Sequence, residues 1–304
     1  MQMVKLTFSS SLLVRLSEVD TPTVCNAIEV AQGKRGFNAF TKSTMLSSNP
    51  NFSSFVGYAR TAKISGINEP TETTEEIKEK RMAYFRHMAT GCEPKIAVVE
   101  DEDFPNCVSA WWGEVHTAVH KGLGISGAIT NGVMRDLNDL EPGFPVLAGS
   151  VGPSHAFVRA TNIGTKIQIF DLEIKNGDLI HADRHGALVI PPEVIPSLES
   201  ALERLISTEQ LILGPAREPD FNIEKLKQAQ QMKDKIRIFS IETFSSWFLG
   251  IIWISPLLYA FWAAFHPQEY STNFDLTAPI VLDNFIEAWS YAPFSRYFLN
   301  TFLI

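Results

Sequence analysis

The stretch Trp111–Asp136, WWGEVHTAVHKGLGISGAITNGVMRD, sets the fold class. Gly113–Lys121 reads as a helix, and Ile125–Thr130, a short apolar run between glycines, reads as a strand. Upstream, Lys95–Glu100 (KIAVVE) is an apolar run ending in acids, the signature of a buried strand that opens into a loop. Downstream, Pro145–Leu147, Lys166–Ile174, Leu179–His181 and Ala187–Ile190 are strand-like, Asp136–Leu140 reads as a helical turn, and Val194–Leu213 is an amphipathic helix. Toward the N-terminus, Val56–Ile64 is the best strand, and Thr73 or Thr74 caps a charged helix reaching about Met88. Asp20-Thr21-Pro22 is a helix start, with Val24, Ala27, Ile28 and Ala31 as its apolar stripe and Gly33 as its stop. The opening residues MQMVKLTFSSSLLVRL lack an uninterrupted apolar core and a cleavage site, so they read as a native N-terminus. Strands alternating with helices over residues 1–215 make an α/β layered domain.

Composition narrows the function. The chain has 304 residues and a formal net charge of −8, which argues against nucleic-acid binding through a basic face. Its three cysteines form no CxxC, excluding a disulfide scaffold or a zinc ribbon. The averages hide two different polymers. From Ile238 onward lie 18 of the 33 aromatic residues, with one basic residue, Arg296, against five acids. Residues 216–240 form a polar, basic helical linker carrying Lys225, Lys227, Lys233, Lys235 and Arg237. Phe244–Phe265 then runs 22 residues without a charge. At about 1.5 Å per residue, that is one bilayer core. Trp247 and Trp262 lie near its two ends, and the basic flank places the large domain in the cytoplasm. Phe298–Ile304 reads as the truncated start of a second apolar segment.

Three patterns suggest chemistry. Gly122-Leu-Gly124-Ile-Ser-Gly127 matches GxGxxG, but a helix precedes it and a strand follows, the reverse of a dinucleotide site. His116/His120 and His181/His185 have metal-like spacing, yet no glutamate lies inside the first pair, so both read as ordinary polar histidines. Glu114 falls in the first turn of a helix, where backbone N–H groups favour an anion. Arg135 and Asp136 follow a strand and a glycine turn. A carboxylate there holds a hard divalent cation, and a guanidinium clamps a substrate carboxylate. Such a set suits a 2-oxo acid chelated to Mg²⁺; a surface ion pair at a helix start remains the other reading.

Glu114, twenty intervening residues and then Arg135-Asp136 resemble the family of regulator of ribonuclease activity A and the class II 4-hydroxy-4-methyl-2-oxoglutarate/4-carboxy-4-hydroxy-2-oxoadipate aldolases. Flanking matches are Asp20–Val24 with Asn26-Ala27-Ile28, Gly127–Arg135, and Gly177–Ile180 followed by His185–Pro191. The resemblance covers about 15–215 and implies an α/β/β/α swivelling-type fold. It also implies a Mg²⁺- or Mn²⁺-dependent lyase cleaving a 4-hydroxy-2-oxo acid to pyruvate, with oxaloacetate decarboxylation as a related activity. By the same resemblance Asp136 holds the metal, and Arg135 binds substrate carboxylate or enolate oxygen. The amides of Gly113, Glu114, Val115 and His116 hold the acid group, and Glu114 orients water as acid/base. Glu114 and His116 stand where the family pattern has aspartate and leucine. Members form trimers or hexamers with sites between subunits, and some bind a ribonuclease without aldolase activity. Residues 241–304 resemble something else, the N-terminal end of a sugar-type ABC transporter permease of the inner membrane. The resemblance rests on Trp247–Phe265, Phe274–Pro279, Asn284-Phe285 and Arg296–Thr301. The resemblance does not extend to the core of a permease, which argues against transport by this segment alone and leaves a transport subunit as a second alternative, with 244–265 the expected membrane contact.

Overall fold

The computed structural model describes residues 10–270, 274–275 and 277–303, without the side chains of Ser10 and 235–244. The reading of the first nine residues as leader-free, the Lys235 and Arg237 part of the basic flank, Leu276 and Ile304 lie outside the described residues. The chain forms two compact units, Met1–Glu209 and Gln210–Ile304.

The first unit opens with α1 (Ser10–Glu18) and α2 (Thr21–Gln32). Asp20 accepts from the Thr23 amide at 2.9 Å, and Gly33 closes α2 at φ +67°, a left-handed conformation that costs glycine little. Strands β1 (Leu46–Ser47) and β2 (Phe55–Ser65) lead to α3 (Thr74–Ala89). A reciprocal capping box between Thr73 and Glu76 starts α3. Then come β3 (Lys95–Asp101), β4 (Ala110–Trp112), α4 (Glu114–Gly122), β5 (Ile125–Thr130), β6 (Val133–Met134), β7 (Val146–Ala148), β8 (Ser150–Val151) and β9 (Arg159–Ile163). The unit continues with β10 (Ile167–Ile169), β11 (Leu172–Ile174), β12 (Leu179–Asp183), β13 (Gly186–Val189) and α5 (Ile195–Ala216), whose last turns run into the second unit.

The main sheet has the order β1-β7-β5-β3-β2-β12-β13, with β9 paired to the far end of β2. Its centre, β2, β3, β5 and β7, is parallel. Such strands are covered on both faces, which is why KIAVVE is continuously apolar. The two-residue period of β3 divides its side chains between two cores. Ala97 and Val99 pack with Tyr84, Met88, Trp111 and Trp112, whereas Ile96 and Val98 pack with Phe55, Ile129 and the β10–β11 hairpin. A third core joins α1, α2 and α5 through Leu16, Ile28, Leu198 and Leu202. Each fully buried Ile or Leu of these clusters contributes roughly 1.5–3 kcal/mol.

Two local readings are corrected. Lys166–Ile174 is a hairpin rather than one strand: Phe170 and Asp171, at φ +44° and +63°, make the two-residue turn between β10 and β11. Asp136–Leu140 is a hydrogen-bonded turn, Asp139 N–H to Asp136 O at 2.9 Å, and not helical. At the GxGxxG match the chain passes from α4 through Gly124, φ +79°, into β5, the helix-to-strand order that a dinucleotide loop reverses.

In the second unit the linker and the apolar segment are one helix, α6 (Ile223–Ala264), begun by Asn222, which accepts from the amides of Glu224 and Lys225. Within it Ser245–Ala264 is long and apolar enough to cross a membrane, and none of that span is buried. Pro256 sits inside it. Asn284 donates to the carbonyls of Ala263, Ala264 and His266, closing the end of α6. Helices α7 (Asp283–Tyr291) and α8 (Phe294–Leu303) follow, and no residue in either is buried.

Candidate active site

Two parallel strand ends bring distant residues together. β4 and β6 are neighbours in a three-stranded parallel sheet with β8, Trp112 standing opposite Met134. Both strands stop at the same level, and the Arg135 amide donates to Trp112 O at 2.8 Å. Gly113 and Glu114, which continue β4 into α4, therefore lie beside Arg135 and Asp136, which continue β6.

Successive side chains of an extended strand point to opposite sides. Asp136 breaks that rule because its backbone is left-handed, φ +55°. The carboxylate turns back so that Oδ2 lies 3.3 Å from Arg135 Nε and 3.3 Å from the Glu114 amide. Non-glycine residues in this conformation are uncommon and gather at functional sites, aspartate being among those that tolerate it best. Gly113 is required for the approach: a Cβ there would stand 2.5 Å from Asp136 Oδ2. The start of α4 adds first-turn amides, which have no carbonyl partner within the helix, and the positive end of its dipole. Glu114 joins this group through its backbone. Its side chain is exposed and makes no hydrogen bond or ion pair among the described residues.

The donor set bears on the metal. Among the described residues no group of three or more His, Cys, Asp or Glu side chains is placed to hold an ion. A cradle left open by Gly113 with one carboxylate, Asp136, fits Mg²⁺ or Mn²⁺, ions held through one or two carboxylates and several waters.

Beside the pair lies a cavity of about 250 Å³, lined in part by Arg81, Trp111, Val115, His116, Arg135 and His155. The His116 ring sits 4.4 Å from that of Trp111. Burial first, then the nearness of His120, beside which a second proton would be repelled, and the guanidinium charges of Arg81 and Arg135 push its pKa down to about 3. Beneath it, His120 Nδ1 donates to His116 O at 2.6 Å, so its Nε2 accepts from the Tyr84 hydroxyl at 2.7 Å. Trp111 Nε1 donates to the same hydroxyl. Burial pushes His120 down to about 4 and the Tyr84 hydroxyl far up, so this group is neutral and structural. His181 is likewise engaged at both nitrogens, with Thr21 Oγ1 and Leu16 O, and His185 Nδ1 is held by Asp183. His120, His181 and His185 are thus held within the fold, whereas His116 lines the cavity.

Of the residues singled out in the sequence, Gly113, Val115, His116 and Arg135 line the cavity, Asp136 contacts Arg135, and Glu114 reaches Asp136 by its amide. Arg81, His155 and the supporting Tyr84 escaped sequence reasoning. Arg81 belongs to the charged run EEIKEKR of α3, where nothing marks one cation from the next.

The layered α/β domain, with its candidate site at paired parallel strand ends, defines a class that comparison narrows to a family. The RraA-like family model (Aldolase/RraA) matches residues 21–189, more than half of the chain, and the chain belongs to that family. A Halalkalibacterium halodurans protein provisionally named 4-hydroxy-4-methyl-2-oxoglutarate aldolase is 26% identical over 139 residues. That match spans 43% of this chain and 65% of the relative's length. The fold is also that of Streptomyces coelicolor RraAS2, described as an unusual member of the RNase ES inhibitor RraA family. Here the TM-score is 0.51 at 19% identity, over 69% of this chain and 98% of the other. A structure described as novel cellulases from gut-associated microbes gives a TM-score of 0.57 at 22% identity, over 69% and 90% of the two chains. At such identities the likeness is one of fold alone.

Proposed function

We propose that the first unit is a divalent-metal-dependent carbon–carbon lyase that cleaves a 4-hydroxy-2-oxo acid, such as 4-hydroxy-4-methyl-2-oxoglutarate, to pyruvate and a second carbonyl compound. The observation that carries this reading is the left-handed turn at Asp136, which points its carboxylate and the Arg135 guanidinium to one spot over Gly113. Asp136 would hold Mg²⁺ or Mn²⁺, which supplies Lewis-acid stabilisation of the enolate when bound. Arg135 clamps the substrate's 1-carboxylate and 2-oxo oxygen, and the first amides of α4 add hydrogen bonds to the same group. Glu114, whose side chain is unpaired, takes the C4 hydroxyl proton through an intervening water. As C4–O becomes C=O, the C3–C4 bond breaks and its electron pair moves into C2–C3, leaving the pyruvate enolate. The proton then returns to C3. Oxaloacetate would give the same enolate by losing its C4 carboxylate as CO₂, which makes decarboxylation a side activity of the same residues.

The full chain in detergent should release pyruvate only with Mg²⁺ or Mn²⁺ present. Arg135→Ala and Asp136→Ala should each lower kcat/KM by about 10²–10³-fold with an unchanged circular dichroism spectrum. Undiminished turnover in either variant overturns the reading, and ribonuclease inhibition without pyruvate release would favour the family's binding role. In the same proposal the lyase unit is cytoplasmic and assembles as a trimer or hexamer. Ser245–Ala264 anchors it in the cell membrane, with the exposed Lys227 and Lys233 of α6 on the cytoplasmic side.

A further inference from the structure

The cavity next to the Arg135–Asp136 pair has a charge pattern that the cleavage chemistry does not need. Its lining holds two guanidinium groups, Arg81 and Arg135, and two imidazoles, His116 and His155, with no carboxylate. Arg135 has an acid partner in Asp136, whereas Arg81 has neither an ion pair nor a hydrogen bond among the described residues. Its neighbour on α3, Lys80, stands 3.9 Å from Glu72. The field of Arg81 reaches the cavity wall, since it is one of the charges that depress His116. His116 in turn has a buried Nδ1 with no hydrogen-bond partner. His155 Nδ1 donates to Ala156 O, which leaves its Nε2 as the other hydrogen-bonding group. Two guanidinium groups on one cavity whose lining has no carboxylate mark a place for an anionic ligand. The cavity, about 250 Å³, is smaller than pockets for drug-sized ligands and has room for a short acid.

We propose that Arg81 is a specificity-determining residue, holding in this cavity the distal carboxylate of a dicarboxylic 2-oxo acid while Arg135 holds the proximal end. This rests on the reading of Arg135 and Asp136 given above, and it narrows the substrates to diacids over monoacids. Arg81 touches no reacting atom. It fixes the end of the molecule remote from the bond that breaks, so its effect falls on discrimination.

The test uses the full-length chain in detergent with Mg²⁺ and two probes that carry no 4-hydroxyl group to cleave, 2-oxoglutarate and 2-oxopentanoate, titrated by calorimetry. The wild type should bind the diacid at least about tenfold more tightly than the monoacid. Arg81→Met should bring that ratio to about one, and Arg81→Lys should restore part of it, because a lysine keeps the charge but not the bidentate fork. Arg81 is exposed, so the circular dichroism spectrum should be unchanged. Equal binding of the two acids by the wild type, no binding of either, or a ratio that survives Arg81→Met overturns the proposal. The lyase reading fails separately. A chain that prefers diacids but releases no pyruvate keeps the subsite and loses the reaction, and one that cleaves with an unchanged preference in Arg81→Met keeps the reaction and loses the subsite.

Discussion

Trp112 and Trp253 are the same residue put to opposite uses. Trp112 is wholly buried in the first unit, against Phe144 and His120. Trp253, in α6 of the second, is 80% exposed, and its neighbours Ile251, Leu257 and Phe261 are each more than 60% exposed. The first unit satisfies its own apolar pattern, with alternating strand residues dividing between two cores. The second has an apolar surface that it does not cover, far beyond the scattered exposed hydrophobics of a soluble monomer. Such a surface is stable in hydrocarbon, where a continuous helix satisfies its own backbone.

The largest expected effect tests that contrast directly. The full chain should float with phospholipid vesicles almost completely, and brominated lipid should quench Trp247, Trp253 and Trp262 but not Trp111 or Trp112. A chain that stays monodisperse in water without detergent would break the comparison. Next in size, Trp112→Ala should cost the first unit about 3–5 kcal/mol in urea unfolding. Trp253→Ala should shift that same transition by about 0.5 kcal/mol or less, as for an exposed position. The smallest effect is on pH. Burial holds His87 and His120 near 4 and His116 near 3, all below the ordinary value of about 6.5. These groups stay neutral in the folded unit while the unfolded chain takes up protons below about 6.5. The stability they contribute is therefore complete at neutral pH and falls as pH drops toward 4. Asp101, raised by burial, acts in the opposite sense near the carboxylate range and blunts the slope. Urea midpoints measured from pH 7.5 to 4.5 should decline for the first unit, and a flat profile would remove the neutral histidine cluster from the account.

Much of this architecture is legible in the sequence because its signals are local. The Asp20 cap, the Thr73–Glu76 box and the apolar run of β3 each involve a few adjacent residues, and each appears where such signals place it. The β10–β11 hairpin is hidden because Phe170-Asp171 is not a glycine-containing turn; Phe170 accepts a positive φ while packing against Phe104. In the candidate site, the spacing from Glu114 to Arg135-Asp136 marks the residues, but nothing local shows why they meet. That depends on the pairing of β4 with β6, each three residues or fewer, and on a left-handed backbone at Asp136. Arg81 depends on a helix distant in sequence packing beside that place, and no period or motif encodes it. The single helix through 223–264 is obscured by the abrupt change from charged to apolar residues, although helix geometry is indifferent to that change.

The absent side chain at residue 113 has a consequence for every chain built on this plan. A single methyl group there would evict the neighbouring carboxylate while leaving strands, helices and cores untouched. Loss of chemistry would then be invisible to any probe of folding. On the proposed lyase reading, Gly113→Ala should therefore leave the urea midpoint of the first unit unchanged while pyruvate release is lost.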